Sequence, residues 1–354
     1  MLKRPSPNTD PVGTPPATMS MLQKWFVRLI RDERDLPFLD VILKVVFLMV
    51  PLAVLLYMPF ITGWVWAGLA LVYLYLNNIM LKGPFGLMMH CSTHRPLFRP
   101  EHEWMNSIIP WVLAPFFGQS PETYRAHHIG MHHAEGNMPE DASSTMQYQR
   151  DKGSEFLRYF ADFLFVGIPK LMRYLHRKHR DKLMRNAMMG EALFLLFCAA
   201  MCLVDWKATL VVFILPMLIF RLIAMVGNWV QHTFVDHQEP HNDYRNSITC
   251  INVHFNHRCW NDGYHASHHI HPTMHWTEHP AFFRDNLATF GRNKAVVFDG
   301  LDFKSVFLCL LRDRYDVLAE HFVDMGDNFR TDEEVIAFLR SRTARIPQAK
   351  VQPA

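Results

Sequence analysis

An all-α, polytopic membrane fold is what the sequence predicts: four transmembrane helices in two hairpins, with a cytoplasmic, histidine-rich cap. Three observations predict it. Two blocks of the chain are almost free of charge and long enough for paired spans. The basic residues gather between those blocks. And 21 histidines, in 354 residues carrying a formal net charge of only +3, cluster beside the ends of the apolar runs.

The first hairpin follows from length. No charged residue stands between Lys44 and Lys82. A hydrocarbon core ~30 Å thick takes about 20 helical residues, so this stretch is too long for one span. Pro59, Gly63 and the Trp64/Trp66 pair mark a break with interfacial aromatics. The expected helices are 41–61 and 65–85. The second hairpin has its runs at 188–204 and 208–231, separated by Asp205, Trp206 and Lys207. Arg221 interrupts the last run, and a charge at that depth must face protein, water or a headgroup. Runs this long without a polar face do not read as the core of a soluble protein.

Orientation follows from the loops. The connection 86–187 carries Arg95, Arg99, Arg125, Arg150, Lys170, Arg173, Arg177, Lys178, Arg180, Lys182 and Arg185, whereas the short turns carry only Lys207. The positive-inside rule puts both termini and the long connection in the cytoplasm. Residues 1–38 read as an N-terminal cytoplasmic, partly disordered tail, rich in Pro, Ser and Thr at its start and lacking the apolar region of a secretory signal. Residues 39–325 form the membrane-embedded domain, and 326–354 a C-terminal cytoplasmic helix and tail. Within the polar mass, 107–118 and 155–172 are apolar but short. The second, with Phe156, Tyr159, Phe160, Phe163 and Leu164 at helical spacing, fits an amphipathic helix lying at the interface. Thr331 and Glu334 make a capping box for a last helix.

Composition excludes some classes. Near-balanced charge argues against a dedicated nucleic-acid binder. The six cysteines form no CxxC pair, and several lie in apolar runs, so they read as small hydrophobes rather than a disulfide framework.

The histidines form a constellation. His90 and His94 follow the second span at i and i+4, a spacing that puts both rings on one helix face. His128 and His132 repeat it, with His133 adjacent. His265, His268 and His269 stand at i, i+3 and i+4. The last span runs into Asn228 and His232, again i and i+4. Adjacent histidines on a helix splay by roughly 100°, so one cluster can serve two metals. Bis-histidine haem needs single ligands on facing spans, and no HExxH zinc-protease motif is present. Imidazole by itself suits Zn, Cu, Fe or Ni, so donor type leaves the metal open. His127 is an alternative to His128, which box spacing favours. His237, His241, His254, His257, His271, His275 and His279 read as surface residues or as supports for ligands, with Asp236, Asp262 and Glu278 the nearest carboxylates in sequence to orient ligand rings. Asn256 and Asn261 are candidates for the same role or for a substrate headgroup.

These HxxxH, HxxxHH and HxxHH boxes, in this order between two apolar hairpins, resemble the membrane fatty acid desaturase and hydroxylase superfamily. The flanking residues agree: HCSTHRPLF, YRAHHIGMHH and YHASHHIHPTMHWTEHP. The resemblance covers about residues 40–285. It implies two iron ions, non-haem, held by His90, His94, His128, His132, His133, His232, His265, His268 and His269, with Asn228 acting through a water. It further implies O2-dependent desaturation of a fatty acyl chain, or, with the same centre, hydroxylation or ketone formation on an alkyl lipid, sterol or carotenoid. Many such desaturases carry an acidic residue directly after the first histidine of the first box, where Cys91 stands here. With no HPGG and no iron–sulfur cysteine pattern in the chain, electrons are expected from an external donor such as cytochrome b5 or a ferredoxin, docking on the basic cytoplasmic surface. A non-redox metal-binding or transport protein is the reading from another class.

Overall fold

A computed structural model describes residues 3–14 and 16–347. Helix dominates. Three helical stretches are long and apolar enough to cross a membrane: Glu33–Leu56, Gly63–His94 and Asp181–Gln231. The third is too long for a single crossing, and it is not continuous. Asp205 has extended backbone angles, and its carboxylate accepts the Lys207 and Ala208 N–H groups, capping a new helix. The chain doubles back there: Phe197 and Phe213, equidistant from the turn, meet edge to face at 5.0 Å. Trp64 and Trp206 are exposed at the two turns, as the sequence predicts for interfacial aromatics. Phe47, Leu71, Leu196 and Leu203 also lie exposed on these helices, an arrangement suited to acyl chains rather than water.

The chain divides into two compact units. One comprises Gly13–His128 and Leu175–Leu222; the other comprises Met1–Val12, Ile129–Tyr174 and Ile223–Ala354. In the first, which we call the membrane unit, the 107–118 segment is a broken helix ending at Gly118, whose φ of +78° and whose position against the Met217 backbone exclude any side chain. Its terminal carbonyls need partners in an apolar layer. The Gly63–His94 helix supplies them. Asn77 donates to the Phe116 carbonyl at 2.7 Å, and Lys82 to those of Phe117 at 3.3 Å and Pro216 at 3.1 Å. Tyr73 donates to Val212 O at 3.1 Å, the carbonyl that Pro216 leaves without its helical N–H. Arg221 pairs with Glu191 at 2.8 Å, so its charge faces protein; Glu191 also accepts from the Ser120 hydroxyl.

The other unit, the polar unit, holds most of the smaller elements. It contains a feature that an all-α expectation lacks: a parallel two-stranded sheet, β1 Thr249–Ile251 and β2 Val297–Asp299. Its residues are buried apolar runs too short to carry a periodic signal. Helix Gly153–Arg177 buries Phe156 and Tyr159 against Trp229 and leaves Leu157 and Phe165 exposed, the amphipathic pattern read from its sequence. Residues 3–14, whose composition suggests a disordered tail, are held: Lys3 bridges to Val323, Ser6 N–H to Asp299, and Asp10 to the Asn252 N–H and the Tyr264 hydroxyl. Thr331 caps helix Asp332–Arg342, which buries Val335 and Leu339. Residues 348–354 of the expected C-terminal tail lie outside the described residues. All six cysteines are free thiols.

Candidate metal centre

In the membrane unit, the Gly63–His94 helix ends on two ligands. Its face is continuous because a π-helical segment, Leu76–Leu81, absorbs one extra residue. Tyr73 and Asn77 are four apart, Lys82 follows after five, and Gly86, His90 and His94 continue at four. Without that segment Lys82 and both histidines would turn away from the partners of Tyr73 and Asn77. His90 and His94 meet His128, with His94 Nε2 and His128 Nε2 2.9 Å apart and the His90 and His128 rings at 4.5 Å. Tyr124 stacks on His128 at 5.2 Å. The structure thus places His128 in this group; His127 lies outside it.

In the polar unit four buried histidines converge: His132, His232, His265 and His269, with ring nitrogens within 4.8 Å of one another. His265 Nε2 is 3.2 Å from His232 Nε2 and 3.1 Å from His269 Nε2. Beside them His133 Nε2 and His268 Nε2 approach to 3.0 Å. Both doublets therefore split, as splayed neighbours on a helix should: His132 and His269 join the four, whereas His133 and His268 pair with each other. Their rings are inclined by 72° within the first doublet and 79° within the second.

The outer nitrogens are fixed as well. His232 Nδ1–H donates to Asn246 O at 3.0 Å, and His132 Nδ1 lies 2.7 Å from an Asp141 carboxylate oxygen. These contacts at Nδ1 fix the orientation of both rings and leave Nε2 as the nitrogen on the opposite side. Burial, reinforced by His132, pushes the His232 pKa down to about 3, and burial with four neighbouring histidines holds His269 well below its ordinary value. Both rings are neutral, the form that binds metal. Two imidazole nitrogens bound to one ion at ~2.0–2.2 Å stand about 2.8–3.4 Å apart. The observed spacings of 2.9–3.2 Å fall in that range. The donor set is compatible with metal binding.

Other sequence expectations meet different outcomes. Asn228 donates its amide to Ser143 O and the Tyr159 hydroxyl, both at 2.8 Å. Asp236 is engaged by Arg342 and Arg245. Asp262 accepts from Gln231. Asn256 donates to Cys250 O and accepts from Gly263 N–H, and Asn261 donates to Pro11 O and Trp276 O, so both fasten the loop before His265. His279 Nδ1 contacts the Ser267 hydroxyl between His265 and His268. Asp141 and Asn246 are the residues that sequence reasoning missed. The D-x-S of Asp141 and Ser143, an Asx turn nine residues beyond His132, was the available signal.

Apolar helices with clustered imidazoles at or beyond their ends define an integral membrane protein with a polyhistidine site. Residues 64–300, about two thirds of the chain, match the family model described as fatty acid desaturase. The chain belongs to the fatty acid desaturase family and is an oxidoreductase of the desaturase and hydroxylase superfamily, with a lipid or acyl substrate. No curated protein matches the chain at a significant level.

Proposed function

We propose that the protein introduces a cis double bond into a fatty acyl chain, consuming O2 and two external electrons. The observation that carries this reading is the convergence of imidazoles at metal-bridging separations in a chain of this family. His132, His232, His265 and His269 hold one metal ion in the polar unit, where His133 and His268 are further ligands; His90, His94 and His128 are the ligands of the membrane unit, and Asn228 contributes through a water. The metals are two irons, as the family resemblance implies; a redox-inert ion such as zinc would not supply the oxidation. Bound iron supplies the activation of O2.

The balance is one acyl CH2–CH2 unit, O2, two electrons and two protons giving CH=CH and two waters. The chain's own residues position the acyl group and exclude water from the centre. Desaturation rather than hydroxylation rests on Asn228 and His232, which match the additional ligand position of acyl desaturases. Residues 39–325 are the catalytic domain. Four spans, with the doubled-back segment counted as two, leave both termini and the site on the cytoplasmic side, where an external donor such as cytochrome b5 or a ferredoxin docks.

Two measurements test this. Elemental analysis of purified protein should give two irons per chain, and one zinc without iron overturns the reading. Lipid profiling of an expressing host should show acyl chains lighter by two hydrogens. Products heavier by one oxygen, with no new C=C, assign the hydroxylase chemistry instead.

A further inference from the structure

Arg150 is 1% exposed, and among the described residues its guanidinium pairs with no carboxylate and hydrogen-bonds to backbone carbonyls alone. Nε donates to Thr233 O at 2.7 Å. Nη1 faces the carbonyls of Thr145, Met146 and Tyr148 at 3.2–3.4 Å, and Nη2 those of Arg342 and Ala344 at 2.9 and 2.7 Å. Three separate segments are thus gathered by one planar cation. A guanidinium offers five N–H donors in a fixed fork, which suits it to carbonyls from several segments at once.

Two of those segments are the outer wall of the four-histidine set. Thr233 directly follows His232. Thr145 donates its hydroxyl to His232 O at 2.6 Å, and the same loop carries Asp141, which orients His132. Ser143, between them, presents its carbonyl to Asn228. The third segment is the C-terminal stretch after helix Asp332–Arg342. It closes the junction with its backbone: Arg150 N–H donates to Thr343 O at 2.9 Å and Ile346 N–H to Met146 O at 2.8 Å. Trp229 Nε1 donates to Arg150 O at 3.1 Å, fixing the same residue from the His232 side.

We propose that Arg150 is a positioning residue for the four-histidine set, clamping the 141–148 loop and the C-terminal 342–346 segment against the turn that carries His232. The inference rests on the reading that this set binds metal. Loss of the clamp frees Asp141 and the His232 backbone together, so it acts on two ligands at once. Outer supports of metal ligands are worth about 10–100-fold in metal affinity, and Arg150 belongs at the upper end of that range.

The test is Co(II) binding to the metal-depleted, full-length protein in detergent, followed by its visible ligand-field bands and by melting temperature. Arg150→Lys keeps the charge but has three donors at one point and cannot span three segments. It is expected to bind Co(II) roughly 10–100-fold more weakly, to show ligand-field bands of a set with fewer nitrogens, and to lose more of the Co(II)-induced rise in melting temperature than of the metal-free melting temperature. Wild-type affinity and bands in monodisperse Arg150→Lys protein overturn the inference. If that variant is not monodisperse, the chain ended after Thr343 removes the Ala344 carbonyl and the Ile346 N–H from the same junction. There, weakened Co(II) binding supports the clamp and unchanged binding overturns it. Wild-type protein that binds no Co(II) defeats the metal reading itself, a result distinct from equal binding by wild type and variant.

Discussion

The histidines of the membrane unit and the four of the polar unit are positioned by different physics. His90 and His94 stand at the end of a helix of more than thirty residues, and their direction is set by helical register far below them. His132, His232, His265 and His269 sit on short helices and turns, where register carries little. Their directions come from hydrogen bonds to the outer ring nitrogens and from segments tied together by Asp141, Asn246 and Arg150. The first arrangement is tolerant of a lost contact and intolerant of a shift in the chain. The second is the reverse.

The largest expected effect separates ligands from everything else. His232→Ala and His268→Ala should each lower turnover at least about a hundredfold, with loss of metal, because a ligand contributes more than the 10–100-fold of its supports. Retained wild-type turnover in either variant removes that residue from the ligand set. The contrast between the units predicts a second large effect from chain length. One residue inserted beside Ile79 rotates His90 and His94 by roughly 100° relative to Tyr73 and Asn77 and should abolish activity. Deleting Ile79 converts the π-segment to regular helix, keeps Tyr73, Asn77, Lys82, His90 and His94 on one face, and should leave a folded protein with activity reduced less than tenfold. Equal damage from insertion and deletion breaks the register argument.

Asp141→Asn probes the other arrangement. The amide preserves shape and the contacts of Ser143 but removes the charge beside His132 Nδ1, so metal affinity should fall about 10–100-fold while the fold persists. Isothermal titration of metal-depleted protein reads this directly. An unchanged constant assigns the positioning of His132 to packing, as in the membrane unit.

How much of this was legible follows from what each feature requires. The hairpins show in uncharged length, and Asp205-Trp206-Lys207 is a turn that the structure repeats. The boxes show because ligand spacing is local. Arg221 announced that it faced protein, water or a headgroup; which of these it meets was not legible, because its partner Glu191 lies thirty residues back and carries no local sign. The π-segment is invisible because its residues are ordinary helix formers and the extra residue acquires meaning only against partners at 116–117 and 212–216. Arg150 read as one more basic residue for orientation; six carbonyls, three of them from distant segments, made it a buried clamp. Residues 3–14 read as disorder from composition, since a strap held by hydrogen bonds at Lys3, Ser6 and Asp10 needs no apolar pattern of its own.

That strap gives the smallest effect and the finest test of the comparison. Asp10 accepts the Tyr264 hydroxyl at 2.7 Å, immediately before His265, and the Asn252 N–H at 2.8 Å. Tyr264→Phe deletes one hydrogen bond and leaves the ring packed on Phe283. A hydrogen bond to a charged acceptor contributes about 1.5–3 kcal/mol, and with its donor gone Asp10 still keeps Asn252. A fall of a few degrees in melting temperature is expected, with metal content unchanged, because His265 is also held by the Asn256 and Asn261 contacts that fasten its loop. Should Tyr264→Phe instead lose metal, the third box depends on its N-terminal strap as the second depends on Arg150, and hydrogen-bonded positioning in the polar unit extends to both ends of the chain.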